Sequence, residues 1–560
     1  MIKLKRFFDS KYSFKTLLKW LLNVFKDNWL QSLANATTGI LGVCLSLSAV
    51  WAVKHAIDVA SGYVEGSVYW SVALMAGLIL CEFSISITNI WIRNTLGIRA
   101  RNRMQQKMLD RILNSHIEGK DKFHSGDVIN RLENDVRDVV NFLTETIPES
   151  LSTAFLFIGA FTYLFNMDPG LAFVTIAIIP VFLLLSKLYM NKMHRLTRKM
   201  RNSESRVQSI LQETVQHRTL IKTLESNKTV MSRVTDTQAE LRSDVINKTK
   251  FSVISNLIMN LGFASGYIVA FLWSALRMSA GTLTFGGMTA FLQLVNKIQG
   301  PARSLSSLIP QFVTVFTCAE RLMELEDNPL EDTDDPIRMK DATGIRFTNV
   351  SYSYPGADKK VLDNFSFDFT PGSSTAIVGE TGIGKTTMIK LILSLLTPDS
   401  GKLEIYSGSE IKDINSRMRC NFVYVPQGNN LLSGTIRDNL RLGKVNATDE
   451  EIREVLTTAC AEFVYTLPDG LDTICGERGN GLSEGQAQRI ATARALLRNR
   501  RVLILDEITS ALDPDTEKRV LDNLLSDRSR TVLMITHKPE VAERCDKVLR
   551  LKDMHNNPQA

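Results

Sequence analysis

The hydrophobic pattern divides the chain into two unlike halves. Long apolar runs fill the stretch from about Asn28 to Leu305, whereas short apolar stretches alternate with polar helical segments from about Gly344 onward. A membrane span takes roughly 20 apolar residues at about 1.5 Å per residue. Six suitable segments lie near residues 33–58, 69–92, 147–166, 170–190, 254–276 and 284–305. The pattern predicts a membrane half followed by a soluble half; the alternative is a large soluble helical bundle.

The loop charges predict how the membrane half is oriented. The segment before the first span is dense in Lys and Arg, as are the second-to-third and fourth-to-fifth connections. The short loops near "SGYVEG", "NMDPG" and "RMSAGTLT" hold almost none. By the positive-inside rule, both termini are expected on the cytoplasmic side of a cell membrane, either a plasma membrane or a bacterial inner membrane.

Residues 1–29 have a pattern of their own. Apolar residues alternate there with lysines, as expected of a helix that lies in the membrane interface. A cleaved signal peptide would need an uninterrupted apolar core and a small-residue cleavage site, which this stretch lacks. The apolar residues of the expected interfacial helix are Phe7, Phe8, Phe14, Leu17, Leu18, Leu21 and Phe25.

The two basic connections are too long to be simple loops. After the second span, apolar residues recur every fourth position from Leu96 to Ile112, which predicts that the helix continues for about 20 residues, or roughly 30 Å. The fourth-to-fifth connection continues in the same way through "RLTRKMRNSESRVQSILQETVQ". Solvated charged helices are the alternative, but the matching lengths favour extensions that a soluble domain contacts.

Composition narrows the classes of function. The chain has 560 residues, of which 44% are hydrophobic, enough for two or three domains. Its net charge of +7 follows from the basic loops, and no nucleic-acid-binding motif accompanies it. The seven cysteines are scattered without a C-x-x-C pair, which argues against a disulfide framework or a zinc site.

The soluble half contains a phosphate-binding loop. The strand "STAIVG" leads into a glycine-rich loop and then into the apolar helix "MIKLILSLL", which is G-x-x-x-x-G-K-[ST] in its required context. Backbone N–H groups of such a loop surround phosphate oxygens, while Lys385 reaches the outer phosphates and the Thr386 hydroxyl faces Mg²⁺. The candidate residues are Gly379, Glu380, Thr381, Gly382, Ile383, Gly384, Lys385, Thr386 and Thr387.

Two further strands end in residues suited to the same phosphate. "RVLILDE" is apolar on both faces, as in the middle of a parallel sheet, and ends in Asp506 and Glu507. Asp506 is expected to hold Mg²⁺, and Glu507 to orient or deprotonate a water molecule. "TVLMITH" ends in His537, a candidate contact of the γ-phosphate. A lone His at a strand end is usually a satisfied surface residue, but three convergent strand ends favour the catalytic interpretation.

The ordered motifs of the soluble half resemble the nucleotide-binding domain of ATP-binding cassette transporters. They are the phosphate loop, "VPQ" with Gln427, "LSEGQ" at 482–486, "LILDE" at 503–507, "SALD" at 510–513 and His537. The resemblance implies ATP and Mg²⁺ as cofactors, with Mg²⁺ at Thr386, Gln427 and Asp506. It also implies that Tyr354 stacks on adenine. The other implied ATP-binding residues are Gln427, Ser483, Gly485, Gln486 and Asp513.

The membrane half resembles the exporter branch of that family. "HSGDVINRLENDVRDV" is similar to the branch's first intracellular loop, "GTLTFGGMTAFLQLVNKIQGPARSLSSLI" to its sixth span, and "GERG" at 476–479 to a loop that touches the transmembrane helices. The implied fold is a six-helix all-α transmembrane domain with long cytoplasmic extensions, the type IV exporter fold, followed by an α/β P-loop ATPase. We expect a transmembrane domain over 1–327, a linker over 328–344 and the nucleotide-binding domain over 345–560.

The stretch "GERGNGLSEGQAQRI" explains why one chain has two phosphate-binding elements. It predicts a loop in which Ser483 caps a helix beginning about two residues later. In the family, this signature binds the γ-phosphate of ATP held by the partner's phosphate loop. A chain with one cassette and six spans is therefore expected to be a half-transporter that needs a second half-transporter, most simply as a twofold homodimer, although a heterodimer stays open.

Two positions depart from the commonest family pattern. Glu484 stands where many relatives have Gly, which places a carboxylate near the shared site, and we interpret it as tolerated. Ile508 follows Glu507 where Ala is usual, and we interpret it as a packing change. Neither departure removes a phosphate ligand.

The resemblance predicts an ATP-hydrolysing exporter that moves an amphipathic, lipid-like, drug or peptide substrate by alternating access. Membrane lipids are expected to surround it. An importer on the same fold, as in siderophore systems, and an ATP-gated channel or regulator are the alternatives. Polar groups inside spans are expensive unless they face a cavity or a partner. The candidates for cavity lining, with interhelical hydrogen bonding as the alternative, are Glu82, Gln293, Asn296, Lys297 and Gln299.

Overall fold

The computed structural model describes residues 12–116, 125–306, 308–357, 359–476 and 481–551. These residues form two compact units. The first is drawn from Met1–Leu109 and Ile129–Leu325, and the second from Asp110–Val128 and Glu326–Ala560. The expected domain limits at residues 327 and 344 stay a prediction.

The described residues of the first unit form helices joined by short turns. Two five-residue π-helical turns, Arg131–Asp135 and Phe142–Thr146, interrupt the run between Ser125 and Met167. The α-helices before residue 327, of which α3, α4 and α11 include residues of the second unit, are α1 (Phe14–Asp27), α2 (Trp29–Ala60), α3 (Val68–Leu113), α4 (Ser125–Asn130), α5 (Val136–Asn141), α6 (Ile147–Met167), α7 (Pro169–Gln216), α8 (Arg218–Thr223), α9 (Asn227–Ser279), α10 (Phe285–Ser306) and α11 (Leu308–Glu326).

Each of the six apolar segments of the sequence lies on one of these helices. Within the described residues, four helical stretches are long and apolar enough to cross a membrane: Trp29–Ala60, Val68–Leu113, Gly126–Met167 and Asn227–Ser279. The two remaining segments lie on α7 and α10. The helices therefore follow the hydrophobic pattern of the sequence.

The expected helical extensions are confirmed. Helix α3 runs for 46 residues and ends only at Leu113, with Ala100, Met104 and Met108 buried along one face. Helix α7 runs for 48 residues and ends at Gln216. Apolar residues at every fourth position thus mark a packed helix face beyond the apolar segment itself.

Helix α1 packs against the protein's own helices as well as presenting an apolar surface. Leu17 and Leu21 are buried, and the Phe14 ring stacks on Phe316 of α11 at 5.2 Å between centroids. Leu18 and Leu22 on the same helix are exposed. Phe7 and Phe8 of the predicted interfacial helix lie outside the described residues.

The second unit contains a parallel sheet beside an antiparallel one. The strands are β1 (Gly344–Tyr352), β2 (Leu362–Phe369), β3 (Ser374–Val378), β4 (Ser400–Ser407), β5 (Glu410–Asp413), β6 (Phe422–Val425), β7 (Gly434–Thr435), β8 (Ile474–Cys475), β9 (Val502–Asp506), β10 (Thr531–Ile535) and β11 (Lys547–Arg550). The parallel sheet has the order β11-β3-β10-β9-β6, and the antiparallel sheet has the order β2-β1-β4-β5. A short pair, β7 with β8, is separate.

The helices of this unit connect the strands and cover the parallel sheet. They are α12 (Lys385–Ile392), α13 (Ile436–Arg441), α14 (Asp449–Thr458), α15 (Glu484–Arg498), α16 (Pro514–Leu525) and α17 (Pro539–Ala542). Short 3₁₀ turns occupy Ser416–Asn421, Glu462–Thr466 and Gly470–Asp472. Strands β9 and β10 are buried along their whole length, which confirms the sequence-based expectation of a central parallel strand for "RVLILDE".

The two faces of the parallel sheet belong to different hydrophobic cores. Along β9, Leu503 and Leu505 join one core while Val502 and Ile504 join the other, as the two-residue period of a strand requires. Helix α15 packs into the first core through residues such as Ile490, and α12 packs into the second through residues such as Ile389. The two helices that follow the phosphate-binding motifs therefore lie on opposite faces of one sheet.

Candidate nucleotide-binding site

The glycine-rich loop between β3 and α12 has a backbone that side chains would not fit. Gly384, which precedes the helix, has a φ of +113°, and a Cβ at this position would lie 2.8 Å from the Val361 side chain. A Cβ at Gly379 would lie 2.9 Å from the carbonyl oxygen of Leu551. Both glycines are needed because the chain must turn tightly against its neighbours before the helix begins.

Lys385 places its amine inside this loop. Its Nζ donates to the carbonyl oxygens of Gly379 and Glu380, the latter at 3.0 Å, and lies 3.3 Å from His537 Nε2. Burial lowers the pKa of the Lys385 amine, whereas the nearby Glu507 raises it. The loop therefore holds a cation beside the acidic end of β9.

Four neighbouring strands bring the predicted residues to one edge of the sheet. Lys385 follows β3, His537 follows β10, Glu507 follows β9 and Gln427 follows β6. The carboxyl ends of parallel strands lie at the same edge, so these side chains meet there. Glu507 Oε1 lies 2.8 Å from His537 Nε2, and its Oε2 accepts a hydrogen bond of 2.7 Å from Gln427 Nε2.

Glu507 has an unusual backbone conformation for a residue other than glycine. Its φ is +50°, in the left-handed region, which costs on the order of 1–3 kcal/mol and persists only where the surroundings enforce it. Its N–H donates to the Ile535 carbonyl at 3.1 Å, and its own carbonyl accepts from Ser510 Oγ at 2.9 Å. Main-chain bonds on both sides thus set the direction of the carboxylate.

Tyr424 is a residue of this site that the sequence analysis missed. Its hydroxyl donates to Asp506 Oδ2 at 2.9 Å, and Asp506 is only 8% exposed. Burial raises the pKa of the Asp506 carboxyl, while the bond from Tyr424 lowers it. Burial and the neighbouring carboxylate raise the pKa of Tyr424. The available signal was its position in "NFVYVPQ", three residues before Gln427 on a strand next to β9.

The atoms expected to coordinate Mg²⁺ are oxygens, which are the ligands that this cation prefers. The Gln427 side chain bonds Glu507 through its nitrogen, and Asp506 bonds Tyr424 through Oδ2. Within the described part of the chain, Gln427 Oε1 and Asp506 Oδ1 therefore accept no hydrogen bond. Thr386 is exposed in the first turn of α12. No cluster of three His, Cys, Asp or Glu side chains occurs among the described residues. This sparse set fits Mg²⁺, which takes most ligands from phosphates and water.

Tyr354, the expected adenine-stacking residue, lies against the same helix. Its hydroxyl is 3.1 Å from Thr387 Oγ1, and its ring meets Tyr352 edge-on at 5.3 Å between centroids. The aromatic side chain is therefore positioned next to the glycine-rich loop by two contacts. Its role toward adenine stays a prediction.

The signature stretch forms a well-capped helix. Helix α15 begins at Glu484, directly after Ser483 and one residue earlier than the sequence suggested. Ser483 Oγ accepts from the Gln486 N–H at 3.2 Å, and Gln486 Oε1 accepts from the Ser483 N–H at 2.9 Å. This capping box fixes the start of the helix. In "GERG", residues 477–479 lie outside the described residues.

The two departures from the family pattern have different surroundings. Ile508 is 3% exposed and lies in the same hydrophobic core as α15, which confirms the interpretation as a packing change. Glu484 is exposed at the first position of the helix.

Asp513 caps α16, since its Oδ2 accepts from the Thr516 N–H at 2.9 Å, and this bond holds the pKa of the Asp513 carboxyl low.

Gly485→Ala is expected to disturb the contact between the signature helix and the "SALD" segment. A Cβ at Gly485 would lie 2.5 Å from the Ala511 carbonyl oxygen, and such overpacking costs roughly 1–3 kcal/mol. The midpoint of thermal unfolding and the rate of ATP hydrolysis should both fall. For the unfolding midpoint, Glu484→Ala at the exposed neighbouring position is the control. Equal behaviour of the two variants would contradict the close approach.

The polar residues nominated within the spans divide between two environments. Lys297 donates to Ser46 Oγ on α2, and the Gln299 side chain is buried directly against Gly266 of α9. The first contact favours interhelical hydrogen bonding for Lys297. For Gln299 the contact is one of packing, since its Nε2 is buried and has no hydrogen-bond partner among the described residues. Glu82 and Gln293 are half-buried, and Asn296 is exposed.

Comparisons with known proteins agree with this architecture. Residues 33–302 match the model of the ABC transporter transmembrane region, and residues 362–510 match the ABC transporter model. An ATP-dependent lipid A-core flippase of Chromobacterium violaceum is 28% identical over 96% of this chain and 92% of its own length. An uncharacterized ABC transporter ATP-binding protein of Bacillus subtilis, YfiB, is 30% identical over 86% of this chain and 84% of its own length.

Two further relatives extend the comparison. A multidrug resistance ABC transporter ATP-binding and permease protein of Lactococcus lactis is 26% identical over 96% of this chain and 91% of its own. The structure of a bacterial Atm1-family ABC exporter with ATP bound has a TM-score of 0.76 at 21% identity, covering 94% of both chains, and shares the fold. The chain thus belongs to the ATP-binding cassette transporters, as a transmembrane region fused to an ATPase domain that drives transport.

Proposed function

We propose that two copies of this chain form an exporter that moves an amphipathic, lipid-like, drug or peptide substrate outward across the cell membrane. Both termini lie on the cytoplasmic side in this proposal. The observation that supports it best is the position of α12 and α15 on opposite faces of one sheet, in separate cores.

This arrangement favours a nucleotide shared between chains. The loop around Lys385 and the N-terminus of α15 both offer donors to phosphate, yet an intact layer of the fold stands between the helices that carry them. Two chains related by a twofold axis would each lend the signature to the other's phosphate loop.

The side chains at the sheet edge suit ATP hydrolysis. Gln427 and His537 hold both oxygens of Glu507, which directs that carboxylate to orient or deprotonate water. Lys385 offsets the charge of the outer phosphates. Mg²⁺ would be held by Thr386, Gln427 and Asp506 and would neutralise charge on the transferred phosphate. ATP then favours the closed dimer through its higher affinity for that state, and hydrolysis releases it.

Reconstituted vesicles test the direction of transport. With cassettes facing outward and ATP added outside, a fluorescent amphiphile should move into the vesicle, away from the cassettes. Accumulation on the cassette side would instead indicate an importer. Flux that continues without hydrolysis would indicate a channel.

Tyr424→Phe is expected to shift the acidic limb of the ATPase pH profile to higher pH. The Tyr424 hydroxyl lowers the pKa of Asp506 against the raising effect of burial, so its loss raises that pKa further. Protonated Asp506 cannot hold Mg²⁺, so activity should be lost at a higher pH and a higher Mg²⁺ concentration should be needed. Hydrolysis measured against pH and Mg²⁺ checks this.

The matched control is Tyr406→Phe. The Tyr406 hydroxyl also bonds a carboxylate, Asp368, at 2.8 Å, but in the antiparallel sheet. This variant should keep the wild-type pH profile. A shared shift in both variants would show that the effect is general destabilisation.

A further inference from the structure

Helix α1 carries a stripe of lysines on the side that faces away from its neighbours. Lys15, Lys19 and Lys26 are exposed, and their spacing places them on one face of the helix. The opposite face holds Leu17 and Leu21, which are buried. The lysines are therefore free to meet a partner that the described part of the first unit does not supply.

An apolar edge runs along α1 beside the lysines. Phe14, Leu18 and Leu22 recur every fourth residue, and each is more than 40% exposed. A helix with lysines beside exposed apolar residues is typical of the interface between lipid headgroups and acyl chains. The sequence predicted this position for α1, but it did not specify the charge of the headgroups there.

The extension of α3 adds a second basic stripe. Arg99 and Arg103 are exposed one turn apart, each directly before a buried residue of the packed face, Ala100 and Met104. Arg103 donates from Nη1 to the main-chain carbonyl of Asp27 at 2.9 Å. The two stripes therefore meet where α1 ends. We call the five cations of both stripes the basic surface: Lys15, Lys19, Lys26, Arg99 and Arg103.

Contacts with the rest of the first unit hold the basic surface in place. The Phe14 ring stacks on Phe316 of α11, and Leu17 and Leu21 are buried behind the lysines. The bond from Arg103 joins α3 to the end of α1. Because the two helices are already fastened, little conformational entropy is lost when a partner binds their cations.

The positive charge of the basic surface is not neutralised within the described part of the chain. Asp27 is the one carboxylate in α1 and in residues 93–109 of α3, and its Oδ2 lies 3.8 Å from Lys107. The side chains of Arg99 and of the three lysines of α1 form no ion pair or hydrogen bond with another described residue. A group of unpaired cations attracts an anionic partner.

The basic surface lies close to the depth of the lipid headgroups. Lys26 precedes the apolar segment 33–58 by seven residues, and Arg99 follows the segment 69–92 by seven, which is about 10 Å along a helix in each case. The headgroup layer extends roughly 5–8 Å beyond the hydrocarbon core. Long Lys and Arg side chains reach over the remaining distance, so headgroup phosphates are within their range.

We propose that the basic surface binds the headgroups of anionic phospholipids such as phosphatidylglycerol. The lysines and arginines donate charge-assisted hydrogen bonds to the phosphate, while the apolar edge of α1 contacts the acyl chains. In phosphatidylcholine a quaternary ammonium accompanies the phosphate and meets the lysines as a like charge, so this lipid binds less well. The proposal goes beyond the export function, because it concerns a lipid that the protein holds and not the substrate that it moves.

Lipid selectivity measured by electron paramagnetic resonance tests the basic surface. The full chain is reconstituted in phosphatidylcholine vesicles with a trace of spin-labelled phosphatidylglycerol or of phosphatidylcholine labelled on the same acyl chain. The spectrum separates lipid immobilised by the protein from bulk lipid and gives both association constants. Phosphatidylglycerol should be preferred about threefold, because the preference at this surface is averaged over all lipids that contact the spans. In 1 M salt, where the Debye length is about 3 Å, the preference should disappear.

The variants assign the preference to the basic surface. Lys19→Gln/Lys26→Gln should reduce it to about half, and Arg99→Gln should reduce it as well. Glutamine forms helix about as readily as lysine and arginine, so the variants should fold. Lys402→Gln/Lys518→Gln removes two exposed cations from the second unit and is the control. It changes the net charge equally and should keep the wild-type preference.

Each result supports or overturns the basic surface. Equal binding of the two lipids by the wild-type chain overturns it, as does a Lys19→Gln/Lys26→Gln variant that is as selective as the control. A preference that the control also loses would indicate the net charge of the whole protein instead. Wild-type selectivity in Arg99→Gln would exclude α3 and overturn the surface as defined. ATP-driven flux in phosphatidylcholine vesicles is measured separately, so failure of the lipid site and failure of the export proposal are distinguishable.

Discussion

Glu507→Gln is expected to reduce steady-state ATP hydrolysis to about a thousandth of the wild-type rate while leaving ATP binding intact. The amide keeps the size of the side chain but cannot accept a proton from water. Gln427 and His537 hold both oxygens of Glu507 at the edge of the sheet, and the neighbouring Asp506 is already bound by Tyr424. The variant should therefore accumulate as an ATP-bound closed dimer.

Phosphate release and retention of labelled ATP after gel filtration measure the two effects. Glu543→Gln, an exposed carboxylate on the same unit, is the control and should hydrolyse ATP normally. Hydrolysis by the Glu507 variant at the wild-type rate would rule out its assignment as the base. Loss of ATP binding in that variant would instead indicate a structural role.

Mixed dimers should show whether a nucleotide site uses one chain or two. Lys385→Ala disables the phosphate loop, and Ser483→Arg blocks the signature by placing a bulky side chain at the start of α15. If each site combines elements of both chains, a dimer of one Lys385→Ala chain and one Ser483→Arg chain retains one intact site and about half of the wild-type hydrolysis. Two differently tagged chains, purified through both tags, provide this dimer.

The reciprocal dimer makes the test symmetrical. A chain carrying both substitutions, paired with a wild-type chain, should be inactive because each of its two sites contains one damaged element. Sites formed within single chains give the opposite pair of results: no activity in the first dimer and one working site in the second. Expression level and stability cannot produce this exchange, since both dimers contain the same substitutions.

The parts that the sequence predicted share a local cause. The glycine-rich loop, the buried strand ending in Asp506 and Glu507, and the long helix through Met104 and Met108 are each specified by periodicity or by motif spacing within a few turns of chain. The parallel sheet then brings Lys385, His537 and Gln427 to one edge because parallel strands have their carboxyl ends together.

The parts that the sequence did not predict depend on contacts between distant segments. Tyr424 is one of many strand aromatics until β6 is known to lie beside β9 and Asp506. The left-handed conformation of Glu507 is fixed by bonds to Ile535 and Ser510, and the sequence does not indicate it because the residue is not a glycine. No hydrophobic period reveals the π-helical turn Phe142–Thr146, which is bonded by Asn35, more than a hundred residues away in the sequence.

The capping box at Ser483 has a kinetic consequence for assembly. Ser483 Oγ accepts the Gln486 N–H, so its own hydroxyl hydrogen stays available to an incoming oxygen, and the first turn of α15 is already capped before any partner arrives. Little conformational entropy then remains to be lost when two chains meet around a nucleotide. We therefore expect the rate of closure to be limited by how often the two cassettes encounter each other, and not by a slow folding step. A signal that reports closure should then follow a single exponential, and helix-stabilising cosolvents should leave its rate unchanged.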